Sequence, residues 1–106
     1  MERLPSPFEI LELGDGEKFE LRVERWEQGL TTIHPSYAPE GKDIQVLRIH
    51  VPQGNKPFFP FYWDITASTL VAQLLPYLEK PNFKQRTFRI QKHGVAPRAR
   101  FTLEVV

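Results

Sequence analysis

His34, His50 and His93 are the only imidazoles in the chain, and their placement decides whether covalent or metal chemistry is open to it. They stand far apart, none in a paired metal-ligand spacing, and His34 precedes a proline. There is no cysteine, so thiolate ligands, thiol nucleophiles and disulfides are all excluded. Ser6, Ser36 and Ser68 lie in no nucleophile elbow, and the glycines form neither a phosphate loop nor a dinucleotide fingerprint. Asp15 belongs to a turn signal and Asp64 to a prospective helix cap, which leaves neither free as a general acid or base. The expected chemistry is binding without catalysis, cofactor or metal.

Two residue types remain for that binding. Between Lys56 and Asp64 five aromatic rings (Phe58, Phe59, Phe61, Tyr62, Trp63) fill six consecutive positions, more flat apolar surface than one side of a strand readily buries. Some of these rings are expected to face solvent, and others to fill the core. The arginines form the second group. Reading the apolar partners as buried puts Arg22, Arg48, Arg89 and Arg100 on the outward faces of four different strands, with His50, Gln91 and Thr102 beside them. Guanidinium groups fork onto phosphate oxygens and stack on rings, and exposed rings accept unpaired bases at about 1–3 kcal/mol each. Trp26, Tyr37, Phe59, Tyr62 and Trp63 are the stacking candidates; Arg22, Arg48, Arg89, Lys92 and Arg100 are the phosphate candidates.

These side chains need a scaffold, and the periodicity supplies one. Phe8 to Leu13 reads as a short strand closed by Gly14-Asp15-Gly16. Phe19, Leu21 and Val23 alternate with charged neighbours through Lys18 to Glu27, the pattern of a strand with one buried face. Trp26 falls on the charged side, so either a bulge turns it inward or it stands in solvent. Gly29 to Asp43 reads as a long loop around Tyr37. Ile44 to Val51 is a strand whose apolar parity changes between Val46 and Leu47, a sign of a bulge or of burial on both faces. Pro52 to Asn55 is a turn, and Pro57 and Pro60 confine the aromatic segment to an edge strand. Leu70, Val71, Leu74, Leu75 and Leu78 mark a helix capped by Asp64 or Thr66, tightened at Pro76 and ending before Pro81. Phe88 with Ile90, and Phe101 with Leu103 and Val105, give two final strands around a loop at Gly94 and Pro97.

Length and charge set the remaining bounds. The 106 residues, 41% hydrophobic, suit one domain over 1–106. Residues 1–40 carry four basic and nine acidic side chains, and residues 41–106 ten basic and four acidic. From Lys80 to Leu103 there are seven basic residues and no acidic one, a local positive field unless acidic strands lie beside it and cancel it. The start Met1-Glu2-Arg3-Leu4-Pro5 has no signal-peptide run and no stretch reaches membrane-spanning length, so a cytoplasmic protein without a membrane partner is expected. Strands, one helix, then two strands make a mainly β (α+β) fold. A small OB-like barrel fits better than a β-grasp sheet, because more than two strands precede the helix.

Gly16 to Val23, Trp63-Asp64-Ile65-Thr66 before the leucine-bearing helix, and Phe88 to Gly94 leading to Arg100-Phe101-Thr102-Leu103 give the chain a further property. It resembles the small OB-fold single-stranded DNA-binding proteins of phages and related mobile elements. The resemblance implies binding of single strands, with little sequence preference, in support of replication or recombination. The chain departs from the pattern at Ala96 and Pro97, where a second glycine is expected, and in lacking an acidic tail after Val106. The alternative expectation is an assembly module, possible as a homodimer, in which the aromatic segment is the subunit contact.

Overall fold

The computed structural model describes residues 2–5, 7–95 and 98–106. Ser6, Ala96 and Pro97, singled out above, lie outside them. The chain is mainly β: strands Lys18–Arg22 (β1), Arg25–Ile33 (β2), Lys42–His50 (β3) and Tyr62–Ile65 (β4), helix Ser68–Leu78 (α1), then Thr87–His93 (β5) and Arg100–Val105 (β6). A short 3-10 turn, Phe83–Gln85, leads into β5. The strands form two antiparallel sheets ordered β1-β5-β6 and β2-β3-β4. Among the described residues no ladder joins the sheets, so the expected closed barrel is not seen. Helix α1 reaches both: Gln73 Nε2 donates to Phe101 O of β6 at 3.0 Å, and Trp26 Nε1 of β2 donates to Leu78 O at 3.1 Å.

The strand expected over Lys18 to Glu27 is broken at Val23–Glu24. The break lets one stretch of chain serve both sheets, β1 pairing with β5 and β2 with β3. It also changes which parity faces inward. Leu21 and Val23 are buried before it, and Trp26 packs on the core after it. The core joins the inner faces of both sheets to the leucine face of α1, through Leu21, Leu47, Ile49, Ile65, Leu74, Leu78, Phe88 and Ile90.

Three other expectations are corrected. The loop is shorter than Gly29 to Asp43, because Gly29–Ile33 pairs with Lys42–Val46. Thr31, Thr32 and Ile33 are β-branched and favour an extended chain over a loop. Pro57 to Phe61 is a loop and not a strand; pairing begins at Tyr62. The helix N-cap is Ala67, with no side-chain cap bond, since Asp64 is within β4 and its carboxylate is engaged elsewhere. As expected, α1 ends before Pro81, and Pro76 lies in its last turn, where both it and Ala72, whose carbonyl it leaves without a donor, are exposed.

The expected first strand, Phe8 to Leu13, is instead the end of a strap. Residues 2–4 run parallel to the outer edge of β2, where Leu4 N donates to Leu30 O and Leu30 N to Glu2 O. Residues 9–11 run parallel to the outer edge of β4, where Asp64 N donates to Glu9 O and Leu11 N to Asp64 O. The strap therefore crosses the outer face of β2-β3-β4 from one edge to the other. On the other sheet, the Asn55 carboxamide covers the edge of β1, accepting from Arg22 N at 3.2 Å and donating to Glu20 O at 2.8 Å. Covered edges deny a foreign strand its template.

Candidate nucleic-acid interface

Register fixes what each face offers. On the outer face of β2-β3-β4, Glu27, Arg48 and Asp64 form one rung and Arg25, His50 and Tyr62 the next. Arg48 and His50 point away from the core, as expected. Arg48 is nevertheless only 1% exposed, because the strap crosses directly over it. Its Nε donates to Asp64 Oδ1 at 2.7 Å and its Nη2 to Oδ2 at 3.0 Å, while Nη1 donates to Pro5 O at 2.6 Å. The guanidinium also lies 4.0 Å from the centroid of the Tyr62 ring, and the Tyr62 hydroxyl donates to Pro7 O. Burial alone would lower the Arg48 pKa, but hydrogen bonding to Asp64 and its charge outweigh that and raise it. Burial raises the Tyr62 phenol above its ordinary range, Arg48 opposing. Arg48 and Tyr62 hold the strap; Arg48 is corrected as a site exposed to a ligand, and Tyr62 is half-buried with Arg48 against its ring.

The tryptophans face the other way. Trp26 and Trp63 share an inner rung with Ile49. Trp26 caps the end of α1 through Leu78 O, and Trp63 packs edge-on to Phe19 at 6.0 Å. Both are half-buried against the core, and Lys56 Nζ stands 4.3 Å from the centroid of the Trp63 ring. The Trp63 indole N–H is buried with no partner among the described residues.

Arg89 is exposed at the centre of the β1-β5-β6 outer face, on a rung with Glu20 and Glu104. It is 3.2 Å from the first carboxylate and 3.4 Å from the second. The acidic early strand thus lies beside the basic late one and cancels its charge at this rung. Arg22 and Arg100 are exposed on the same sheet with no side-chain partner among the described residues, and Lys92 is half-buried. Tyr37 is 72% exposed, with Lys42 Nζ 5.4 Å from its ring centroid. It occupies the far end of the nine-rung β2-β3 ladder. At about 3.3 Å per residue, that is roughly 25 Å from the aromatic loop.

The loop itself gathers what is left. Phe58, Phe59 and Phe61 are 56%, 76% and 38% exposed, and the Phe59 and Phe61 rings meet edge to face at 6.2 Å. Asn55 pins the start of the loop beside Arg22, and Val51 N donates to Phe61 O at its end. Exposed Arg25 lies on the adjoining rung, and exposed Arg86 directly precedes Thr87, the register partner of Arg22. Phe58, Phe61, Arg25 and Arg86 were not among the sequence candidates. For Phe58 and Phe61 the available signal was the pair of prolines, which exempts the segment from the period of a strand; no local signal marked Arg25 or Arg86.

Among the described residues no three His, Cys, Asp or Glu side chains are arranged to hold a metal ion, and no helix is long and apolar enough to cross a membrane. Comparison with protein-family models, curated proteins and solved structures finds no match to this chain.

Proposed function

We propose that this chain is a non-catalytic OB-like domain that binds single-stranded nucleic acid, DNA in the first instance, through the loop Pro57–Phe61 and the cations around it. The observation that carries the reading is the exposure of three phenylalanine rings on a loop pinned beside Arg22. Unpaired bases offer flat faces to such rings, whereas a duplex hides them. Connectivity supports the OB reading: one interrupted strand serves both sheets, two strands follow, and the helix precedes the last two. The stacking set is Phe58, Phe59 and Phe61, with Tyr37 as an outlying ring. Arg22 and Arg86 are the nearest phosphate contacts, Arg25 beside them is already paired with Glu27 at 3.4 Å, and Lys92 and Arg100 are more distant. With Arg48 buried and Arg89 paired to two carboxylates, this basic surface is smaller than the arginine count promised.

Both tryptophans face the core, so their fluorescence is a poor reporter. The test is anisotropy of labelled oligothymidine, against a duplex of equal length, over a salt series. Tighter binding of the single strand, weakening as salt rises, is expected. No binding at low salt refutes the reading. The same rings also fit a second reading, a contact with another copy of this chain, because phenylalanine has no polar group to leave unpaired in an apolar interface. Light scattering over a dilution series separates the two: a dimer indifferent to oligonucleotide supports assembly.

A further inference from the structure

Lys56 opens the aromatic loop, and its side chain is fully buried. Burying an ammonium is costly, and an apolar residue of similar volume would fill the space with less penalty. What the ammonium adds is its set of partners. Nζ lies 3.2 Å from Glu9 Oε1 of the strap and donates to Tyr62 O of β4 at 3.2 Å. It also stands 4.3 Å from the Trp63 ring centroid and 5.0 Å from that of Phe58. Strap, β4 and loop thus converge on one charge. Cations held against ring faces are attracted by the ring quadrupole, most strongly where water is excluded. Phe58 is the only one of these partners that belongs to the loop, and it remains 56% exposed on its other side. Asn55, the preceding residue, fixes the loop start to β1.

We infer that Lys56 is the positioning residue of the aromatic loop. Its caged ammonium holds Phe58, and through it Phe59 and Phe61, in one outward arrangement before any ligand arrives. This rests on the single-strand reading above. A loop ordered in advance spares the ligand the entropic cost of ordering it, so affinity depends on a residue that the ligand never touches.

The test compares the parent protein, Lys56→Met and Phe58→Leu. Backbone 15N relaxation reports the order of Phe58, Phe59 and Phe61, thermal melting reports the fold, and labelled oligothymidine over a salt series reports binding. In the parent the loop order parameters should be about 0.85, falling below about 0.6 in Lys56→Met while the rest of the chain is unchanged. Affinity should drop by about tenfold, the worth of a cation–π contact between the exposed and the fully desolvated cases. The slope of log affinity against log salt should not change, because no phosphate contact is lost; a direct contact would reduce it by about one. Phe58→Leu, at an exposed position, should loosen Phe59 and Phe61 even if Lys56→Met does not fold. A loop that stays ordered in both variants overturns the inference. So does parent-like affinity in Lys56→Met, which leaves the single-strand reading standing; absence of binding by the parent overturns both.

Discussion

Replacing Asp64 with alanine gives the sharpest test of how this fold is held. Asp64 accepts two bonds from Arg48 and one from Glu9 N, at 2.7–3.0 Å. Removing it leaves the Arg48 guanidinium inside the protein with strap carbonyls and the Tyr62 ring but no counter-charge hydrogen-bonded to it, and breaking a buried pair from one side costs about 3–5 kcal/mol. Against a total stability of about 5–15 kcal/mol this is a large fraction. At about 4–8 °C per kcal/mol for a domain near this size, the melting temperature should fall by roughly 12–40 °C. Far-UV circular dichroism during thermal and urea denaturation measures it. Arg48→Met combined with Asp64→Leu removes both charges together and should recover most of the loss, and with Arg48→Met and Asp64→Leu as the single variants the double-mutant cycle should give a large coupling energy. If Asp64→Ala costs less than about 1 kcal/mol, the value of an exposed pair, then the strap does not bury Arg48 and the account of this face is wrong.

A methyl group at Gly29 would lie 2.5 Å from Glu2 O and 2.6 Å from Leu4 Cγ, so Gly29→Ala should push the strap off β2 and cost about 1–3 kcal/mol in a urea titration. Hydrogen bonds from Arg3 and Thr32 hold the Asp43 carboxyl at about 2, below its ordinary 3.8. Because the folded value is the lower one, the pair's contribution is complete above pH 4 and is lost as pH falls toward 2. An NMR titration should show that midpoint, and Arg3→Ala should move it back up. Phe59→Ala should weaken oligothymidine binding by about 1–3 kcal/mol without changing the salt slope. Arg22→Ala should reduce the slope by about one, and Arg89→Ala, at a residue already paired with Glu20 and Glu104, should leave it unchanged.

Local pattern decided much of the scaffold. The alternation through Phe19 and Leu21, the stripe Leu70-Leu74-Leu78 and the pairs Phe88-Ile90 and Phe101-Leu103 each specify an element, because a strand or helix must put its apolar residues on one face wherever it packs. The parity change at Val46-Leu47 left a bulge or burial on both faces of β3, of which the structure shows burial, and the charge asymmetry left a positive field or its cancellation by acidic strands, of which the Arg89 rung shows cancellation. Which arginine would be paired or buried was not in any local pattern. Arg89 is neutralised by Glu20, 69 residues away, and Arg48 is covered by Pro5 and Pro7, 43 and 41 residues away. Trp26 turned inward because the chain breaks between β1 and β2, and Phe61 turned outward because a proline-bound loop obeys no strand period. Composition and spacing determined that this protein has rings and cations to offer. Only the strap, the break and the cross-sheet register decided which of them solvent can reach, since exposure depends on what distant segments leave uncovered.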